Sequence, residues 1–169
     1  GVGEIPQRNR GAMGVKGMGL RDDDNVVSMG VGGPESRLLV ISKLGFGKLT
    51  PLNKYRRQGR AGIGIKTFNI TKKTGRVAAA EIVDDSKEVY VVSEQAQVLR
   101  TNLSEIRSIG RITQGVTIFK PQPGDTVSSI ACVRALETSD EKTDEVEAPP
   151  AKPSTNGKAN GQMSLDDIK

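Results

Sequence analysis

The run RLLVISKLGFGKLTPLNKYRR at residues 37–57 lies without gaps on EVYVVSEQAQVLRTNLSEIRS at residues 88–108, an offset of 51. Ser42 then falls on Ser93, Thr50 on Thr101, Leu52 on Leu103 and Arg56 on Arg107. Arg10, Arg60 and Arg111 recur at intervals of 50 and 51, followed four residues on by Gly14, Gly64 and Gly115 and then by Val or Ile. The repeating unit is thus Arg-x-x-x-Gly-[Val/Ile], a strand pair, a hairpin ending in Thr, and a basic or polar corner. A period of about fifty residues with several strands per unit is the pattern of blades in a propeller-like ring. Two full units and the first half of a third are present, fewer than the roughly four blades a ring needs to close. The sequence predicts a piece of a larger ring, with open sheet faces that lower stability or favour self-association.

The rest of the body agrees with this pattern. NVVSMGV (25–31), RLLVISK (37–43), RVAAAEIV (76–83), EVYVVSE (88–94) and DTVSSIACV (125–133) are short Val- and Ile-rich runs separated by Gly, Pro, Asn and Asp. None carries a sustained i, i+3, i+4 apolar pattern, so the expected fold is all-β, built from blades of antiparallel strands. The body spans 1–136, with units at about 5–57, 58–108 and 109–136. From residue 137 large apolar side chains almost vanish and Pro, Ser, Thr, Asn, Gly and acids take over, so 137–169 is expected to be a disordered acidic tail.

Charge divides the same way. Residues 1–136 hold 21 Lys and Arg against 12 Asp and Glu, whereas 137–169 hold 4 Lys against 8 acids. A basic body with an acidic tail points to a polyanion partner and to a segment able to compete with it. Histidine is absent, which removes His-based acid–base and nucleophile systems and most zinc sites, and neither a catalytic nor a metal site is expected. The one cysteine, Cys132, cannot form an internal disulfide and is expected to be a small buried apolar residue. The first residue is Gly rather than Met, as in a piece of a longer chain. No apolar run approaches membrane-spanning length, so a soluble, cytoplasmic protein is expected.

GFGKLT (45–50) imitates a phosphate-binding loop, but Ser42 stands where its first Gly belongs and Leu49 separates Lys from Thr. It reads as a hairpin turn entering a basic strand. The corners are more informative. YRRQGRAGIGIK (55–66) crowds Arg56, Arg57, Arg60 and Lys66 among three glycines with few acids nearby. Corners of successive blades share one rim, and cations repeated there form a curved basic track suited to a bent duplex. The expected phosphate contacts are Arg10, Lys16, Lys48, Arg56, Arg57, Arg60, Lys66, Arg100, Arg107 and Arg111. Single-strand binders offer aromatic platforms, and with two Tyr, three Phe and no Trp this chain is better matched to double-stranded DNA. A protein-interaction propeller that binds an acidic partner on the same rim is the competing class.

RNRGAMGVKGMGL, DNVVSM, VISKLGFGKLT, YRRQGRAGIGIKT, VLRTNLSEIRSIGRITQGV and DTVSSIACV, in that order over about 5–134, resemble the C-terminal DNA-wrapping domain of DNA gyrase A. The resemblance implies a β-pinwheel, a propeller variant whose blades exchange strands, of which this chain would be the last three units. Within QGRAGIG, Gln58, Arg60, Gly62 and Gly64 match the family's Gln-Arg-Arg-Gly-Gly-Lys-Gly box, while Gly59, Ala61 and Ile63 depart from it. The family's catalytic tyrosine lies upstream, and Tyr55 and Tyr90 are not its counterparts. The resemblance further implies that ATP and magnesium act in other parts of the parent enzyme, a type II DNA topoisomerase. Its partners would be duplex DNA, the upstream part of gyrase A, and gyrase B in an A2B2 complex, in the bacterial cytoplasm at the nucleoid. The related C-terminal domain of topoisomerase IV shares these blades.

Overall fold

The computed structural model of the chain describes residues 2–84 and 86–134, and the expected disorder of 137–169 concerns a segment outside them. Among the described residues the regular structure is β-strand with short 3-10 turns: β1 (Arg37–Ser42), β2 (Phe46–Pro51), β3 (Val77–Val83), β4 (Ser86–Ser93), β5 (Val98–Asn102), β6 (Val116–Thr117) and β7 (Val127–Arg134).

β1 and β2 form an antiparallel hairpin with Arg37 opposite Pro51 and Ile41 opposite Gly47. β4 and β5 form another with Glu88 opposite Asn102 and Val92 opposite Val98. The second register is the first displaced by 51 residues, so the sequence repeat is a repeat of strand pairing. β3 flanks β1 and β7 flanks β4, with register slips at equivalent places, Ile41/Ser42 and Val92/Ser93. The serine at each slip has a reason to recur. Ser42 Oγ accepts the Phe46 amide at 3.2 Å and Ser93 Oγ accepts the Gln97 amide at 3.0 Å, closing both hairpin turns with a side chain.

The units exchange a strand. After the second hairpin the chain crosses to the first sheet as β6, setting Val116 opposite Gly47 and Thr117 opposite Phe46, and then returns as β7 beside β4. The two sheets are therefore β3-β1-β2-β6 and β5-β4-β7. The strand expected over NVVSMGV does not form: residues 25–31 carry no strand, and Val26, Met29 and Val31 are 66%, 92% and 93% exposed. By the repeat, 26–31 correspond to β3 and β7, and the hairpin they would flank is not among the described residues. Without a ladder partner, water is the better partner for their backbone groups.

One apolar cluster joins the sheets face to face. Leu39 and Ile41 of β1 pack with Val89 and Val91 of β4, together with Leu49, Val83, Leu103, Ile106, Phe119 and Val127. Burying each such side chain contributes about 1.5–3 kcal/mol. β1 is covered on both faces, since Val40 is also buried, which accounts for the unbroken LLVI run. β4 is covered on one face only: Val89 and Val91 are buried while Tyr90 and Val92 are half-exposed. Cys132, expected to be buried, is half-buried on β7, and its thiol is pushed up to about 12, mainly by desolvation and further by Glu81. The Cys132 amide donates to Glu81 Oε2 at 3.2 Å and so ties β7 to β3.

Glycine is required where β6 meets β2. Gly115 has φ +74, and a Cβ on it would lie 2.4 Å from the Gly47 carbonyl oxygen. Its repeat-mate Gly64 has φ +92 but open space around it. Gly64→Ala should therefore cost only the left-handed strain, about 1 kcal/mol, whereas Gly115→Ala also displaces β6 and should cost more than about 2 kcal/mol. Urea unfolding of the two variants checks this, and equal losses would show that the exchanged strand contributes nothing.

Candidate nucleic-acid interface

Two corners carry most of the expected phosphate contacts: residues 54–66 after β2 and 105–117 after β5. Each leaves its hairpin through a 3-10 turn, Leu52–Lys54 or Leu103–Glu105, and the second ends in the exchanged strand β6. The second corner is the better anchored. Leu49 of β2 donates its amide to Arg107 O at 3.1 Å and accepts the Ile109 amide at 2.9 Å, so 107–109 runs along the outer edge of β2. Thr50 Oγ1 donates to Ile109 O at 3.1 Å.

The corners meet at one side chain. The Arg111 guanidinium of the second corner lies over the Tyr55 ring of the first, 5.8 Å from its centroid, where cation–π attraction holds it. The Tyr55 hydroxyl is hydrogen-bonded to Thr67 Oγ1. Lys54, Arg56, Lys66 and Arg111 line a single open depression with Gly64, Ile65 and Ile112, and no acidic side chain lines it. Lys54 is not among the expected contacts. Its repeat-mate is Glu105, so the repeat gives no sign of it, although YRR follows it directly.

The remaining expected contacts are distributed as follows. Arg10 and Lys16 are exposed on the strandless stretch before β1, and Arg60 and Arg107 are exposed on the two corners. Arg57 is exposed but bound to Glu4 Oε1 at 2.9 Å. Arg100 projects from β5 rather than from a corner and makes a bidentate bond to Glu88, at 2.8 and 2.7 Å, with its guanidinium above Tyr90. The hydrogen bonds from Arg100 hold the Glu88 carboxyl below its ordinary range. Exposed pairs of this kind are worth little in stability, but they do neutralise the cation they contain. Of the box counterpart, Gln58, Gly62 and Gly64 line a second depression with Tyr55 and Arg56. The Ala61 amide donates to Gly17 O and the Gly19 amide to Gly62 O, both at 2.9 Å, which fixes that corner to the segment before β1.

Lys48 is a correction. The sequence places it among the phosphate contacts, yet its side chain is fully buried at 0% exposure. Its ammonium donates to Gly110 O at 2.7 Å, to Arg111 O and to Thr113 Oγ1 at 3.0 Å, with the Phe68 ring 5.7 Å away. The reason is positional: Lys48 stands opposite Val40 on β2, on a face that β1 also buries. Three acceptors stand in for water around the charge.

The comparisons with known proteins agree with this geometry. A two-sheet, strand-exchanging β assembly with glycine-hinged basic corners defines the chain as a portion of a propeller. The family model described as "DNA gyrase C-terminal domain, beta-propeller" matches residues 1–31, 36–84 and 87–134, and the chain belongs to that family. It is 38% identical over 134 residues to the DNA gyrase A of Kosmotoga olearia, covering 78% of this chain and 16% of that protein. It is also 38% identical to the DNA gyrase A of Mycolicibacterium smegmatis, over 72% of this chain and 14% of the relative. The chain therefore spans under a fifth of the length of these relatives. A solved DNA gyrase A C-terminal domain superposes with a TM-score of 0.69 at 27% identity, over 77% of this chain and 44% of that one. The C-terminal domain of DNA topoisomerase IV shares the fold, with a TM-score of 0.70 at 23% identity over 78% and 42% of the two chains.

The buried lysine gives a pH prediction. Desolvation lowers the Lys48 pKa from an ordinary 10.5 to about 8. The unfolded chain then binds this proton more tightly than the folded one, so folding is penalised below pH 8 and the penalty is relieved as pH rises towards 10.5. Between pH 8 and 10 the chain should gain about 2 kcal/mol that Lys48→Met does not. Urea unfolding of both proteins across that range checks it, and parallel pH profiles would show the ammonium to be no worse solvated than in water.

Proposed function

We propose that this chain is the part of a DNA gyrase A that binds duplex DNA and wraps it, without chemistry of its own. The observation that carries the reading is the convergence of Lys54, Arg56, Lys66 and Arg111 in one depression with no acid lining it. Such a cluster repels itself in the free protein and is relieved by a polyanion, through direct contact and through the counterions released.

The aromatic residues support a duplex over a single strand. Arg111 covers Tyr55, Arg100 covers Tyr90 and Lys73 covers Phe46, while Phe68 and Phe119 are buried. Among the described residues no ring is left as a free platform for base stacking. Phosphate contacts without base readout suit a duplex held by its backbone, and bending a short site costs about 1–6 kcal/mol that those contacts must offset. In this reading the wrapped DNA is handed to the upstream part of gyrase A. Gyrase B supplies ATP-driven strand passage in an A2B2 enzyme of the bacterial cytoplasm, and the product is negatively supercoiled DNA. The gyrase A relatives at 36–39% identity favour this over the topoisomerase IV counterpart, whose likeness is one of fold.

Fluorescence anisotropy with a short duplex tests the proposal. Affinity should fall steeply as salt rises, by close to one power of salt concentration for each phosphate contact. Arg56→Glu combined with Lys66→Glu should lower affinity more than about 50-fold at 0.1 M salt, two lost contacts accounting for most of it. Stability should stay within about 0.5 kcal/mol, since both side chains are exposed. Undiminished binding by that variant would remove this depression from the interface, and a salt-independent affinity would overturn the DNA reading.

A further inference from the structure

We infer that Lys48 is a positioning residue for DNA binding: buried and unable to touch phosphate, it acts through Arg111 by pinning the backbone of the second corner. The inference rests on the DNA reading above and adds a joint between the units.

Lys48 belongs to β2 of the first hairpin, and its acceptors belong to the corner that follows the second. With the carbonyls of Gly110 and Arg111 and the hydroxyl of Thr113 it uses all three N–H donors on the corner. Thr113 Oγ1 also donates to Gly110 O at 3.0 Å, so the acceptors are linked to one another. Thr50, two residues along β2, takes the preceding carbonyl, that of Ile109. Three successive carbonyls, 109 to 111, are thus met in order by two side chains of one strand. Arg111 is held at both ends by the first unit, its carbonyl by Lys48 and its guanidinium by the Tyr55 ring.

Removing the ammonium leaves the Gly110 and Arg111 carbonyls without this donor, and the corner must open to reach water. The guanidinium is then no longer preset, and ordering it falls to DNA binding. The repeat shows that this is an addition rather than a requirement of the blade. The residue in register with Lys48 in the second hairpin is Leu99, which fills the position but has no donor.

The whole chain with Lys48→Met, Thr113→Val, Arg111→Ala and the Lys48→Met/Arg111→Ala pair tests the proposal, Thr113→Val serving if loss of Lys48 impairs folding. Arg111→Ala should weaken duplex binding about five- to tenfold at 0.1 M salt and reduce the salt slope by about one. Lys48→Met should do nearly the same, Thr113→Val should do less, and the pair should be no worse than Arg111→Ala. Losses that multiply in the pair would overturn the inference, because Lys48 would then act independently of Arg111. Hydrogen exchange gives a readout that needs no DNA. The Ile109 amide, bonded to Leu49 O, and the Asn69 amide, bonded to Thr113 O, should exchange faster in Lys48→Met while β1–β2 amides do not change. Unchanged exchange at both would overturn the pinning itself. Failure of the unaltered chain to bind duplex would overturn the DNA reading, and with it the role of Lys48, even if exchange shows the pin.

Discussion

The outer edge of β2 has backbone groups that nothing in its own unit can meet. Gly47 and Phe46 are paired by β6, and Leu49 exchanges bonds with Arg107 O and the Ile109 amide, so the chain that follows the second hairpin supplies that edge. An unmet buried donor or acceptor costs about 1–3 kcal/mol. Separating the units would expose several at once, in addition to the apolar surface between β1 and β4. The exchange therefore makes neighbouring units one object, and the basic corners inherit their places from it. Residues 110–115 have no freedom to wander, because both their ends are sewn to β2.

That attachment explains how like charges can be brought so close. Four cations share a depression without an acid to relieve them, and each adds a repulsion that water and salt screen over about 8–10 Å. Lys54, Arg56 and Lys66 remain exposed, which keeps the repulsion small. Arg111, half-buried, has its guanidinium on Tyr55 and its backbone held from below. The folding energy of the sheets, rather than any local pairing, keeps these charges together. An arrangement of that kind has unused affinity for a polyanion.

Much of this was legible in the sequence, and what was not has physical causes. The offset of 51 marked both hairpins and the equivalence of Ser42 and Ser93, whereas the registers and the serines' hold on the turns came only with the pairing of the strands. The NVVSMGV stretch reads as a strand and is not one, since strand propensity cannot replace a missing partner. Lys48 reads as a surface cation on the strength of its charge alone. Its alignment with Leu99 is the contrary signal, marking a position the fold keeps inside. Arg100 reads as a free cation because Glu88 lies twelve residues away in sequence. Once β4 and β5 are paired, Tyr90 faces Arg100 and Glu88 is its diagonal neighbour. Corner cations such as Arg56 and Lys66 were legible because a glycine-hinged loop beyond a sheet edge offers little to bury them.

The separation between exposed and buried cations bears on how such a surface would bend a duplex. Side chains on flexible stems follow phosphates wherever these lie, so on the proposed reading Lys54, Arg56 and Lys66 would add affinity without prescribing a path. A path needs charges whose spacing is fixed before DNA arrives. Arg111 meets that condition: it is held by its carbonyl and its ring contact, and through Thr50 and Lys48 its distance from the first corner is set by the strand that carries them. Affinity and curvature then have different sources. Salt weakens the first by competing for phosphate, but it reaches a joint made of buried hydrogen bonds far less. On the proposed reading, a duplex bound weakly at high salt would still follow the same curve, because its shape would come from the backbone connection between the hairpins.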